Sequence, residues 1–206
     1  MNFLAHLYLS GNDKDLQIGN FIGDSVKGNR WKEYPEGIAK GIQLHRFIDA
    51  YTDTHPVNLE VIEFMRPRFG RWSGVALDLT WDHILASSWS NWSSYTVSEF
   101  ASQCYETLKD NHEVMPDQAR FILNHMSAND WLSGYATLEG VGWAFGGLSR
   151  RIKYENSLYK GHIFIKENRA VLEEKFVQFF PAIIEACQHR IQDMDGPFLG
   201  DAKTPV

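Results

Sequence analysis

The stretch from Gly74 to Trp89 constrains this chain more than any other. Val75, Leu77, Leu79, Trp81, Ile84, Leu85 and Trp89 make it apolar on nearly every side at helical spacing, so a helix here has to be buried. Yet it carries Asp78 and Asp82 one turn apart, with His83 beside them. An unpaired carboxylate inside a protein costs several kcal/mol even after relaxation, so something cationic is expected there. Two carboxylates on one face with an imidazole nearby suit a hard divalent metal such as Mn²⁺, Mg²⁺ or Fe²⁺. The plainer alternative for Asp78 is a helix-start carboxylate favoured by the dipole.

A second helix, predicted over 36–53, repeats the theme. Ile38, Ile42, His45, Asp49 and Asp53 follow i, i+4, i+7, i+11, i+15 spacing, a single stripe that begins aliphatic and ends acidic. Asp24 stands in Gly-Asn-Phe-Ile-Gly-Asp, where Gly19 and Gly23 would let another helix approach closely. His6 follows Phe3 by three residues and shares its face. Singly, each has an ordinary reading: a core histidine bonded to a carbonyl, or Asp49 and Asp53 paired with Arg46. Asp24, His45, Asp78, Asp82 and His83 taken together favour a metal site.

Helical periodicity recurs near 2–9, 13–27, 36–53, 57–66, 74–89, 98–110, 117–134, 138–150 and 156–190, and no convincing alternation marks a strand. Pro35, Pro56 and Pro116 precede periodic stretches, and Thr96-Val97-Ser98-Glu99 has the form of a capping box. The last helix should bend or break at Pro181. The expectation is an all-α, single-domain helical bundle over 1–192, followed by a loose tail over 193–206 that opens with Asp-Met-Asp-Gly-Pro. At 206 residues one core suffices. Aromatic residues, 14% of the chain, sit mostly at helical spacing among aliphatics and read as core rather than as a ligand groove.

Net charge is −6, without a long basic run, so nucleic acid is not an expected partner. Local clusters remain at Lys27, Arg30 and Lys32, at Arg66, Arg68 and Arg71, and at Arg150, Arg151 and Lys153. Cys104 and Cys187 are the only cysteines, which suits a reducing compartment and offers no thiolate metal site. The apolar start lacks the basic segment of a secretory signal, and no stretch approaches membrane-spanning length. The expected location is the cytoplasm, with no membrane partner.

Met-Asn-Phe-Leu-Ala-His-Leu at the start resembles the opening of the bacterial acyl carrier protein phosphodiesterases. So do Gly19-Asn20 with Asp24 and Gly28-Asn29, His45-Arg46 with Asp49, Thr52-Asp53, Leu77-Asp78, Trp81-Asp82-His83 and Ser149-Arg150-Arg151. The likeness runs in order from residue 1 to about 190. It implies hydrolysis of the phosphodiester between a carrier-protein serine and 4′-phosphopantetheine, with holo-acyl carrier protein as substrate, Mn²⁺ as cofactor, and a helical fold distantly similar to the HD phosphohydrolases. Where the family carries a second His near its start, this chain has Tyr8, which is assigned no role. No His-Asp dipeptide occurs, so the HD comparison implies an architecture, not a ligand list.

On this reading Asp24, His45, Asp49, Asp82 and His83 hold one or two divalent ions, with His6 a further candidate. The metal activates a water and polarises a phosphoryl oxygen. Asp78 or Asp53 orients that water or takes its proton. Arg46, or Arg150 and Arg151, clamps the phosphate; a solvated helix end is the plain alternative for the last two. Lys27, Arg30 and Lys32 are nominated to meet the acidic carrier protein. A phosphohydrolase for a nucleotide or other small phosphoester, and a non-enzymatic helical binding protein, are the rival classes. No P-loop, dinucleotide fingerprint, Gly-x-Ser-x-Gly or reactive-cysteine motif is present.

Overall fold

Three of the helices begin at a side-chain cap. Thr96 Oγ1 accepts from the Glu99 amide at 3.1 Å while the Glu99 carboxylate accepts from the Thr96 amide at 2.7 Å, the expected capping box. Asp13 accepts from the Leu16 amide at 3.0 Å, and Pro56 takes a first-turn position. The computed structural model describes residues 1–195. They form α1 (Phe3–Leu9), α2 (Lys14–Ile22), α3 (Glu36–Thr54), α4 (Pro56–Phe69), α5 (Ser73–Ser87) and α6 (Val97–Asp110). There follow α7 (Asp117–Ala128), α8 (Trp131–Gly134), α9 (Leu138–Arg151), α10 (Gly161–Glu167) and α11 (Arg169–Asp195). Among the described residues there is no strand.

The boundaries depart from periodicity in several places. The second helix ends at Ile22 rather than near 27, tightening to 3-10 geometry over Gly23–Ser25 before Gly28 turns the chain at φ +57°. The stretch 117–134 divides into α7 and α8 where Asp130 adopts a left-handed conformation, φ +42°. The last long stretch breaks at Asn168, whose side chain bonds back to the Phe164 carbonyl at 2.9 Å. It runs unbroken through Pro181 instead, which removes one helical hydrogen bond without ending the ladder. Helix α11 continues through Asp195, past the expected start of the tail at 193; residues 196–206 of that tail lie outside the described residues.

α5 occupies the centre, packed by α1, α4, α9 and α11. Trp81 is wholly buried, with its indole N–H on Asn58 Oδ1 at 3.0 Å. Phe176, Phe179 and Phe180 of α11 pack with Trp81, Trp92 and each other, so most rings do fill the core. Helices α2 and α3 cross at Gly19 and Gly41. A Cβ on Gly19 would lie 2.1 Å from the Ile38 carbonyl oxygen, and one on Gly41 2.5 Å from that of Leu16. This backbone-to-backbone approach holds Asn20 of α2 against His45 of α3.

Candidate active site

His6 of α1 and His45 of α3 are both buried and stack with ring centroids 4.4 Å apart. The His45 ring has room only because residue 23 is glycine: a Cβ there would fall 2.3 Å from His45 Cγ. Beside the stacked rings, facing the Nδ1 edge of both, lies the fully buried side chain of Asn20. Its Nδ2 donates to the His6 carbonyl at 2.9 Å and to Ser10 Oγ at 2.8 Å, which fixes the amide's orientation. Its Oδ1 therefore faces Nδ1 of His6 at 2.7 Å and Nδ1 of His45 at 3.2 Å. An amide oxygen only accepts, so both imidazoles carry a proton on Nδ1.

Both Nε2 atoms then converge on Asp49. His6 Nε2 lies 3.2 Å from Asp49 Oδ1, His45 Nε2 3.2 Å from Asp49 Oδ2, and His45 Nε2 3.4 Å from Asp24 Oδ1. His45 Nε2 is enclosed and makes no well-directed hydrogen bond to either carboxylate. A neutral imidazole would aim one lone pair at another, so a proton or a metal cation has to sit between them. Donor atoms of His6, His45 and Asp49 all lie within 4.8 Å of one another, a mixed nitrogen and oxygen set that fits a first-row divalent ion. They open onto a cavity of about 290 Å³ whose walls include Asp24, Asp53 and Asp78.

The charges are strongly coupled. Burial disfavours a charged His45, but the close carboxylates of Asp24 and Asp49 outweigh it, and its pKa is pushed up to about 9. Burial likewise opposes ionised Asp49, yet its contacts with His45 and His6 hold it well below the usual carboxylate range. Asp24 is lowered first by its contact with His45. His6 is lowered by burial, with the neighbouring His45 charge adding to the effect.

The other expected site residues divide. Asp24, His45 and Asp49 come together, His6 joins them, and the exposed Asp53 sits one turn beyond Asp49 in the same cavity. Asp82 and His83 do not join. Both oxygens of Asp82 are taken by backbone amides at the start of α1: Leu4 at 2.8 Å, with Asn2 and Ala5 at 3.2 Å each. Asp82 therefore caps a helix whose own Asn2 makes no side-chain cap bond. Burial pushes its pKa up to about 7. His83 turns the other way, its Nδ1 2.7 Å from the Tyr135 carbonyl. Asp78 Oδ1 is held by the Met1 amino group at 2.7 Å.

Arg46 does not face the cavity; its Nη2 donates to the carbonyls of Val26 at 2.9 Å and Gly28 at 2.7 Å and ties down the loop after Asp24. Arg150 and Arg151 line the neighbouring groove between α5 and α9 and not the acid–imidazole cavity itself. Lys27, Arg30 and Lys32 are exposed on the segment that follows Asp24. Asn20 enters the sequence reading only through the resemblance, although a polar amide among Leu16, Ile18, Phe21 and Ile22 raises the same question as Asp82 on α5.

Fold and site together define an all-α protein with a carboxylate–imidazole centre at the mouth of a cleft, a side-chain set suited to hydrolysing phosphoesters. The sequence profile of the acyl carrier protein phosphodiesterase family matches residues 1–183. An acyl carrier protein phosphodiesterase of Yersinia pestis is 30% identical over 191 residues, covering 92% of this chain and 99% of that protein. Those of Shigella boydii and Escherichia coli O139:H28 are 31% and 30% identical over 194 residues, with the same coverage. No solved structure matches the chain. The chain belongs to the acyl carrier protein phosphodiesterase family.

Proposed function

We propose that this protein is a metal-dependent phosphodiesterase that removes 4′-phosphopantetheine from holo-acyl carrier protein, and that it works in the cytoplasm. The observation that carries the reaction is the pair of buried imidazoles converging on Asp49 beside Asp24, in a chain whose relatives are named acyl carrier protein phosphodiesterase. A thiolate reaction is disfavoured, because burial pushes the Cys104 and Cys187 thiols up to about 12. No helix among the described residues is long and apolar enough to cross a membrane.

His6 Nε2, His45 Nε2 and Asp49 would hold the ion, with Asp24 closing the set; Mn²⁺ is the expected metal, with Mg²⁺ and Fe²⁺ as alternatives. The bound ion supplies Lewis acidity, lowering the pKa of a nearby water and drawing charge from a phosphoryl oxygen. Asn20 keeps both imidazoles in the tautomer that presents Nε2. Asp53, on the cavity wall, accepts the proton of the attacking water. Asp78 is less suited to that task because the Met1 amino group occupies one of its oxygens. Water oxygen bonds to phosphorus, the bond from phosphorus to the serine oxygen breaks, and that oxygen leaves with a proton as the serine hydroxyl. The exposed Lys27, Arg30 and Lys32, next to Asp24, meet the acidic carrier protein.

Intact-protein mass spectrometry tests the reaction. The carrier-protein product should lose the whole phosphopantetheine, not retain a phosphate. Chelator should abolish turnover, and Mn²⁺ should restore it better than Ca²⁺, which prefers looser oxygen coordination. No mass change in holo carrier protein at any Mn²⁺ concentration would favour a small-phosphoester substrate, and full activity in chelator would remove the metal.

A further inference from the structure

A second cavity shares a wall with the acid–imidazole cavity. Asn2, Phe3 and Asp78 form a ridge, and beyond it a larger groove of about 620 Å³ runs between α5 and α9. One wall is Val75 and Leu79 of α5. The other is a single face of α9: Gly140, Trp143, Ala144, Gly147, Leu148 and Arg151, at i, i+3, i+4, i+7, i+8, i+11. Helix α9 buries Val141 and Phe145 in the core, while this neighbouring face is only half covered and Trp143 is 71% exposed at its rim. Asp130 is the only non-glycine residue with positive φ among the described residues, and it sits in the same groove. Conformations of this kind concentrate where ligands bind.

We infer that this groove is the binding channel for the pantetheine arm of the carrier-protein substrate, and that Gly147 and Trp143 select for that arm. The inference rests on the phosphodiesterase reading above and adds to it where the arm goes. Three features choose the occupant. The groove shares the wall of Asn2, Phe3 and Asp78 with the cavity where the phosphodiester would lie, so a chain attached to that phosphorus enters it across that one wall. Its length matches: the stretch from Gly140 to Arg151 spans about 17 Å at helical rise. The thirteen bonds from phosphorus to the arm's sulfur reach about 15 Å by the measure of an extended backbone. The lining matches as well, since apolar walls carry amide groups (Asn2, Asn129) with carboxylates (Asp78, Asp130) and guanidiniums (Arg150, Arg151) among them. The arm is a thin chain with a gem-dimethyl group and two amides, which needs that mixture.

Gly147 gives a clean test. A Cβ there would meet nothing closer than Arg150 Nη2 at 4.0 Å, so Gly147→Leu fills the groove without a backbone clash and replaces a poor helix former with a good one. Wild type, Gly147→Leu and Trp143→Ala would be compared by calorimetry with pantetheine, which lacks the phosphate, and by turnover of holo carrier protein and of bis(p-nitrophenyl) phosphate, which lacks the arm. The expected result is saturable pantetheine binding to wild type, loss of it in Gly147→Leu, and at least about threefold weaker binding in the surface variant Trp143→Ala. KM for holo carrier protein should rise at least about tenfold in Gly147→Leu, with hydrolysis of the armless ester unchanged. Pantetheine affinity and KM both unaltered in the two variants would overturn the channel, as would no binding of millimolar pantetheine to wild type. Pantetheine binding lost in Gly147→Leu, in a wild type that does not cleave holo carrier protein, would leave the channel standing and sink the proposed reaction instead.

Discussion

Asn20→Ala tests the tautomer argument most directly. Asn20 makes four buried hydrogen bonds, and removing the side chain does not harm them equally. The His6 carbonyl keeps the Ser10 hydroxyl at 2.9 Å, and Ser10 Oγ can still donate there. The two imidazole Nδ1–H groups are stranded. Each stranded buried donor costs about 1–2 kcal/mol, so the variant should lose roughly 2–4 kcal/mol of stability. For a chain of this size that lowers Tm by roughly 5–15 °C, which a folded protein tolerates. Freed from Asn20, either ring can move its proton to Nε2, and metal affinity should fall by about 10–100-fold. Asn20→Asp keeps acceptors for both Nδ1 atoms and should retain most of that affinity while still losing the Nδ2 bonds. Calorimetry with Mn²⁺, thermal melts and ¹⁵N NMR of the imidazoles in Zn²⁺-loaded protein read these quantities. Protons on Nε2 in the wild type, or unchanged affinity in Asn20→Ala, would refute the reasoning.

Four further outcomes are expected. His45→Ala and Asp49→Ala should each abolish stoichiometric metal by elemental analysis, while Asp82→Ala and His83→Ala keep it at saturating metal and melt lower. Gly23→Ala should displace the His45 ring, costing about 1–3 kcal/mol of stability and metal affinity with it; binding as in wild type would mean the ring is not confined there. In metal-free protein, the rise of the His45 pKa from its ordinary 6.5 to about 9 stabilises fully below 6.5 and is lost as pH rises through about 9. At most about 3 kcal/mol is at stake, and the melting difference between wild type and His45→Gln should shrink across that window. Reversing Lys27, Arg30 and Lys32 together should raise KM for holo carrier protein and flatten its salt dependence with metal content intact; no change would move the docking face elsewhere.

Element types were legible because apolar spacing of 3.6 residues dominates the chain, and the acidic end of the 36–53 stripe pointed to the cavity that Asp49 and Asp53 line. Periodicity could not say which buried polar group answers which need. Asp82 on an apolar helix demands positive partners, and metal and backbone amides satisfy that demand equally well in sequence. Only the approach of α1 to α5 shows that amides do so. The same limit applies to Pro181, which looks like a stop in isolation but lies in a helix held by Phe176, Phe179, Phe180 and Ile183 in the core. Asn168, whose side chain bonds back to its own helix, ends α10 instead.

Asp82 still bears on the chemistry, by another route. α1 has seven residues, too few to hold a helix by itself in water, and it delivers His6. Its first turn is anchored by Asp82 through three amides and by the Met1 amino group on Asp78. Loosening that anchor should blur the position of His6 Nε2 relative to Asp49, so Asp82→Ala should weaken metal binding without removing a ligand. The two cases separate by mass action, since excess Mn²⁺ restores a site whose ligands are intact but poorly held and cannot replace a missing donor. Activity of Asp82→Ala should therefore recover with rising Mn²⁺ towards a wild-type kcat, while that of His6→Ala should plateau far below it. A low plateau for both would place Asp82 in the catalytic machinery after all.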